Sequence, residues 1–242
     1  MRTLMLSFCL LFAVPATHAA APMTLQTLLA EHVRAIGPVA KVQSRRVRMR
    51  VIGMAPFELP VVTEAARPNL LRKEVNIQGN TQITVFDGKQ GWKIDPFVPG
   101  GATPSQLPPL EAKALAGEAD FDGMLVNPAA KGIKLAYAGP AEVDGKPAHA
   151  VAVTLPDGGA ATIWFDAASY LEIKRTQPAL VMGEMKPVDV YSSDYRLVGN
   201  LQIPHRIEGG MPGVKERMVI VFDAVELNVK IDPARFVKPA VK

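Results

Sequence analysis

Short corners of aspartate and glycine recur between runs of alternating apolar and polar residues, and they restrict the fold more than any other feature of this chain. They read Asp87-Gly88-Lys89-Gln90-Gly91, Asp144-Gly145-Lys146, Asp157-Gly158-Gly159, Asp166-Ala167-Ala168-Ser169 and Val198-Gly199-Asn200. A connection this short joins antiparallel neighbours, because a parallel pair needs a crossover of about a dozen residues. The aspartates read as turn residues, whose carboxylates bond nearby backbone N–H groups while glycine takes positive φ. The runs between the corners predict strands over 44–51, 59–66, 70–77, 82–86 and 91–94. A second set is predicted over 133–143, 148–155, 161–165, 170–175, 188–197, 201–208 and 216–228. In the first run Val47, Met49 and Val51 share one face, with Arg46, Arg48 and Arg50 on the other.

The ends and the composition bound the setting. Arg2 followed by an apolar run from Leu4 to Val14, then Pro15 and the small residues near Ala19–Ala21, reads as a signal peptide over 1–20. The run is short of the roughly 20 residues that span a bilayer, so the protein is expected to be exported and soluble. The single cysteine, Cys9, falls inside the leader. The mature chain then has no disulfide, thiol nucleophile or zinc–thiolate site, and must hold together by its core. A formal net charge of +4 with 21% charged residues of both signs does not mark a nucleic-acid binder.

Two helices interrupt the strand pattern. Thr24 can cap one in which Leu25, Leu28, Leu29, Val33 and Ile36 follow at helical spacing, ended by Gly37-Pro38. The second lies over 110–119 within a long insertion, about 96–131, which is either a functional lid or a plug at one end of the sheet. The pattern implies one α+β domain, mainly β: a highly twisted or half-closed antiparallel sheet with helices against its concave side.

Site chemistry is thin. There is no G-x-S-x-G, S-x-x-K, H-E-x-x-H, Walker loop or strand-bound G-x-G-x-x-G. Asp120-Phe121-Asp122-Gly123 lacks the remaining ligands of a calcium loop. His32, His149 and His205 each stand alone. Neither an enzyme nor a metal or cofactor site is expected. Met54, Met182 and Met211 occupy Gly/Pro-bearing loops, where methionine either rims a cavity or packs beneath the loop. The Arg46, Arg48 and Arg50 stripe is a solvated face, a guard against edge-to-edge pairing, or a docking surface for an acidic partner or anionic head groups.

Several motifs stand in a telling order. Arg67-Pro68-Asn69-Leu70-Leu71-Arg72 precedes Phe86-Asp87-Gly88, Gly91-Trp92, Asp95-Pro96 and Ala119-Asp120-Phe121-Asp122-Gly123-Met124-Leu125-Val126. Asp144-Gly145-Lys146-Pro147-Ala148-His149, Trp164-Phe165-Asp166, Tyr170-Leu171-Glu172-Ile173, Asp194-Tyr195-Arg196, Ile203-Pro204-His205-Arg206-Ile207-Glu208, Leu227-Asn228 and Phe236 follow. Together they resemble the bacterial outer-membrane lipoprotein-sorting proteins, akin to the periplasmic carrier LolA and its receptor LolB, over nearly all of 21–242.

The resemblance implies an incomplete antiparallel β-barrel whose helices form a lid over an apolar cavity. It implies a non-catalytic periplasmic carrier or chaperone for the acyl chains of lipoproteins or other lipids. An inner- or outer-membrane protein would be a further partner, and the chain is expected to be monomeric. The alternative is an envelope sensor or adaptor that uses the same fold to bind a membrane protein. Val47, Met49, Ile83, Val85, Trp92, Phe97, Met124, Leu125 and Trp164 are the predicted lining; Met54, Met182 and Met211 the predicted rim; Arg46, Arg48 and Arg50 the predicted docking stripe.

Overall fold

Thirteen strands of the described residues hydrogen-bond into one antiparallel sheet in the order β6-β5-β4-β3-β2-β1-β13-β12-β11-β10-β9-β8-β7. The computed structural model describes residues 22–120 and 122–240, so the predicted leader with Cys9 lies outside the described residues. In chain order the strands are β1 Ser44–Ile52, β2 Leu59–Ala66, β3 Leu70–Ile77, β4 Asn80–Phe86, β5 Gly91–Ile94, β6 Ser105–Gln106 and β7 Lys134–Val143. They continue as β8 Lys146–Thr154, β9 Ala160–Asp166, β10 Glu172–Val181, β11 Glu184–Val198, β12 Leu201–Gly210 and β13 Met218–Leu227. Every neighbour in the sheet is consecutive in the chain except β1 with β13. The sheet is curved and stays open between β6 and β7.

The corners work as their composition implies. Asp87 Oδ1 accepts from the backbone N–H of Lys89 at 2.9 Å and of Gln90 at 2.7 Å. Asp157 Oδ1 accepts from Gly159 N–H at 3.0 Å, and Asp166 Oδ1 from Ser169 N–H at 2.7 Å. Asp144 turns by a different route, with φ of 49° ahead of Gly145 at 78°. These carboxylates are structural.

Directly paired residues of an antiparallel ladder share a face and successive residues alternate, so two helices identify one face of the whole sheet. Helix α1, Leu25–Ile36, is capped by Thr24, whose hydroxyl accepts from Thr27 N–H at 3.1 Å. It buries Leu28 against Val151, Val153, Ala161, Ile163 and Phe165. Helix α2, Pro109–Ala119, buries Leu115 and Ala119 against Ala65, Leu71 and Phe86. It also touches β10, so it lies across the concave side from one limb of the sheet to the other.

Three connections seat the helical layer. Gly37 ends α1 at φ 91°, and a Cβ there would lie 2.1 Å from Asn200 O, so only glycine fits. Arg67 and Asp122 form two bonds of 2.5 Å, tying the segment after α2 to the β2–β3 turn. The buried His32 bonds the Tyr170 carbonyl from Nδ1 at 2.9 Å and meets the Phe165 ring edge-on at 4.8 Å.

Burial lowers the His32 pKa, outweighing the opposing effects of the Tyr170 carbonyl and Glu172. The folded state therefore favours neutral imidazole. The stability this confers is present above the unfolded value of 6.5 and lost as pH falls below it. Urea midpoints at pH 7.5 and pH 5.5 should show a fall in the native protein that His32→Gln largely abolishes.

Sequence and fold differ most at β10 and β11. The predicted strands end at 175 and begin at 188, yet the pair runs through a tip at Met182-Gly183, with Pro178 opposite Pro187. Proline has no N–H to give a ladder. Both prolines are tolerated because β9 pairs β10 only up to Thr176 and β12 pairs β11 only from Asp189 onward. Beyond those points the two strands form a free ribbon, whose outer edges need no N–H donor.

Candidate functional site

The helix side of the sheet does not close into one uniform core. One buried cluster lies under α1 and a second under α2; a third, around Val51, Leu59 and Val61, lies at the end of β1 and β2. Beside the buried Ser192, Leu201 and His205, several apolar side chains of the same phase on β10–β13 stay only half-buried. They include Ile173, Val190, Ile203, Ile207 and Phe222. The result is a trough of half-buried apolar side chains between the two helix-covered clusters, which would gain from being covered further.

The register sorts the predicted lining residues. Val47 and Met49 are on the helix side, Val47 buried and Met49 packed beside Val51 and Val61. Met124 and Leu125 pack against the cluster beneath α1. Four residues are in the opposite phase. Phe86 pairs with Leu71 under α2, so Ile83 and Val85 face outward, and Trp92 shares their side by pairing with Val85. Trp164, between Ile163 and Phe165 of the α1 cluster, also faces outward, with Lys174 Nζ 5.1 Å from its ring centroid. Phe97 lies exposed in the loop after β5.

The physical reason is that both faces of these strands carry apolar residues, so alternation fixes the period and not the phase. The outer face near β3 and β4 also has its own cover. The C-terminal 3₁₀ turn, Pro233–Phe236, lies there with Phe236 buried. Arg72 donates to Arg235 O at 3.2 Å, and Arg235 pairs with Glu74 at 3.0 Å and with Glu64.

The arginine stripe is on the outer face and is neutralised there. Arg46 pairs with Glu64 at 2.9 Å, Arg48 with Glu226 at 2.9 Å, and Arg50 with Glu58 at 2.7 Å and Asp223 at 3.0 Å. Hydrogen bonds donated to Glu58 and Asp223 hold the Arg50 guanidinium above its ordinary pKa. The stripe therefore carries a matched set of cross-strand carboxylates that an acidic partner would have to displace.

Among the inward-facing residues that the sequence reading missed is an arginine of β1. Arg45 has the phase of Val47 and Met49, and burial lowers its guanidinium pKa. Only its parity with Val47 could have separated it from the outward Arg46, Arg48 and Arg50. The histidines serve the framework: His149 bonds Tyr137 OH at 2.9 Å and stacks on Tyr170, while His205 Nδ1 donates to Ile203 O at 2.9 Å. Among the described residues, no group of three or more His, Cys, Asp and Glu side chains is placed to hold a metal ion. No helix of the described residues is long and apolar enough to cross a membrane.

The three methionines predicted to form a rim share one end of the sheet. Met54 is in the β1–β2 connection, Met182 at the β10–β11 tip and Met211 in the β12–β13 connection, all at the same strand ends by register. All three are exposed, Met182 at 97%.

No family model matches the sequence, and no curated protein matches it either. Solved structures do share the fold. A LolA superfamily protein from Nitrosomonas europaea is 13% identical, with a TM-score of 0.59 over 89% of this chain and 98% of that one. A DUF1329 family protein from Desulfovibrio piger is 11% identical, with a TM-score of 0.60 over 88% and 97%. A putative outer membrane lipoprotein-sorting protein domain from Vibrio parahaemolyticus is 9% identical, with a TM-score of 0.56 over 88% and 95%. At these identities the likeness is one of architecture: this chain has the LolA-like curved sheet with helices on its concave side.

Proposed function

We propose that this protein is a non-catalytic carrier that shelters the acyl chains of lipoproteins or other lipids in the trough between α1 and α2. The observation that carries the reading is the half-buried apolar floor of β10–β13, including Ile207 and Phe222, between two helices that each cover a separate cluster. Each methylene withdrawn from water there contributes about 0.8 kcal/mol, so a fatty tail is held without a charged anchor. Val47, Met49, Met124 and Leu125 complete the proposed lining, and the mature chain works as one periplasmic domain and a monomer. The shared fold with a putative lipoprotein-sorting domain supports the same class of cargo.

The test is titration of the purified chain with a fluorescent fatty-acyl probe. The native protein should bind it, and Phe222→Asp or Ile207→Asp should weaken binding on the order of tenfold, since each places a charge against the tail. A native protein that leaves the probe free, or folded variants that bind equally well, would overturn the reading.

A further inference from the structure

A hollow of about 240 Å³ opens on the outer face beside the β12–β13 connection. Its walls carry three cations, Lys174, Lys215 and Arg217, against one carboxylate, Asp189. Two of the cations are held by an aromatic. Arg217 Cζ lies 3.7 Å from the centroid of the Tyr191 ring, and Lys174 Nζ lies 5.1 Å from the same centroid. Lys174 also pairs with Asp189 at 2.9 Å, and Arg217 reaches Glu208 at 3.5 Å. Lys215 is exposed and has no ion pair among the described residues. Burial disfavours the Lys174 charge, but hydrogen bonds to Asp189 and Tyr191 outweigh it and hold its pKa above the ordinary value. The hollow is thus a fixed cationic socket with one uncommitted ammonium at its mouth.

What surrounds the socket is apolar and uncovered. Met211 and Val214 belong to its own wall and are exposed. At the same end of the sheet the free β10–β11 ribbon carries Met182 and Met185, and the β1–β2 connection carries Met54 and Phe57, all exposed. Three adjoining tips presenting large apolar side chains around a cationic socket match the layering of an anionic bilayer surface, hydrocarbon beneath phosphate. A soluble protein partner would more often meet such tips with a concave apolar groove, and that match would not use the cations.

We propose that this end of the sheet docks on bilayers containing anionic phospholipid. The lipid phosphate enters the socket of Lys174, Lys215 and Arg217, while Met182, Met211 and Val214 enter the headgroup layer. The inference does not depend on the trough, whose cargo would be held between the helices and not on the outer face.

Flotation of the full mature chain with vesicles tests it. Vesicles of phosphatidylglycerol and phosphatidylethanolamine should carry the protein upward, and pure phosphatidylcholine vesicles should not. Lys215→Glu and Met182→Asp alter exposed side chains, so both variants should fold, and each should cut recovery on the order of tenfold. Raising salt should weaken binding further. Fatty-acyl probe binding in the trough should be unchanged in both variants, which separates this proposal from the carrier reading. Equal flotation on neutral vesicles, or full recovery of either variant, would overturn it. So would concentration-dependent self-association that Met182→Asp abolishes while the native chain ignores vesicles, because the tips would then be a contact between copies of this chain.

Discussion

Glu64→Ala should destabilise the protein by about 2–4 kcal/mol, through the loss of one carboxylate that two arginines share. The Glu64 side chain is nearly inaccessible, and it bridges Arg46 on β1, at 2.9 Å, to Arg235 of the C-terminal turn. Removing it leaves both guanidinium groups without that partner. The full penalty for an orphaned buried charge is about 3–5 kcal/mol, but both arginines are partly exposed and keep other carboxylates, Glu226 and Glu74, so the lower range applies. The loss should fall on one region first. Residues 229–240 are fastened to the outer face through Arg235, so proteolysis there should accelerate before the urea midpoint moves. Glu64→Gln, which keeps an oxygen acceptor and the side-chain volume, should cost less. An unchanged midpoint together with unchanged cleavage would show that Phe236 and the bonds of Arg235 to Glu74 and Arg72 hold the C-terminal turn without Glu64.

What the sequence made legible follows from how locally each feature is encoded. The corners at Asp87, Asp157 and Asp166 need only a carboxylate and the next three N–H groups, so both their presence and their cause could be read. Helix α1 announces itself by the Thr24 cap, the spacing of its leucines and Gly37. The phase of a strand is another matter. Ile83 and Val85 look inward until Phe86 is seen beside Leu71 and Ala65 under α2, a relation spanning β2, β3, β4 and a helix. Trp164 was misplaced for the same reason: both it and Phe165 are bulky, and only Leu28, more than a hundred residues earlier, decides which one the helix covers.

The outer face held the remaining surprises, and they share a cause. Arg46 reads only as part of a charged stripe, yet the register puts Glu64 opposite it and Arg235 pairs with the same carboxylate. The sequence predicts no strand from 176 to 187, yet Pro178 and Pro187 face each other in a ribbon where no further strand pairs. The trough floor at Ile207 and Phe222 was invisible because its significance lies in what does not cover it. Pairing partners and coverage are tertiary facts. A sequence with strong turn signals therefore discloses its sheet order long before it discloses which side of that sheet works.

Phe165→Ala and Trp164→Ala, adjacent substitutions in β9, should differ sharply, and the contrast tests the face assignment on which the trough depends. Phe165 is fully buried, packed with Leu28, Val151 and Ile163 and edge-on to His32. Truncating it removes the ring from the cluster that seats α1, at a cost of about 3–5 kcal/mol. With a slope of about 2–3 kcal/mol/M, that is a fall of about 1–2 M in the urea midpoint. Trp164 is half-buried on the outer face beneath Lys174, and its loss should cost no more than about 2 kcal/mol. Phe165→Ala should also loosen α1, raising hydrogen exchange across Leu25–Ile36, while Trp164→Ala leaves that helix protected. If Trp164→Ala proved the costlier change and released α1, the phase of β9 would be reversed. Ile163 and Arg175, paired across β9 and β10, would then exchange sides with Trp164 and Lys174, and the half-buried residues continuing from them across β11–β13 would no longer lie between the helices.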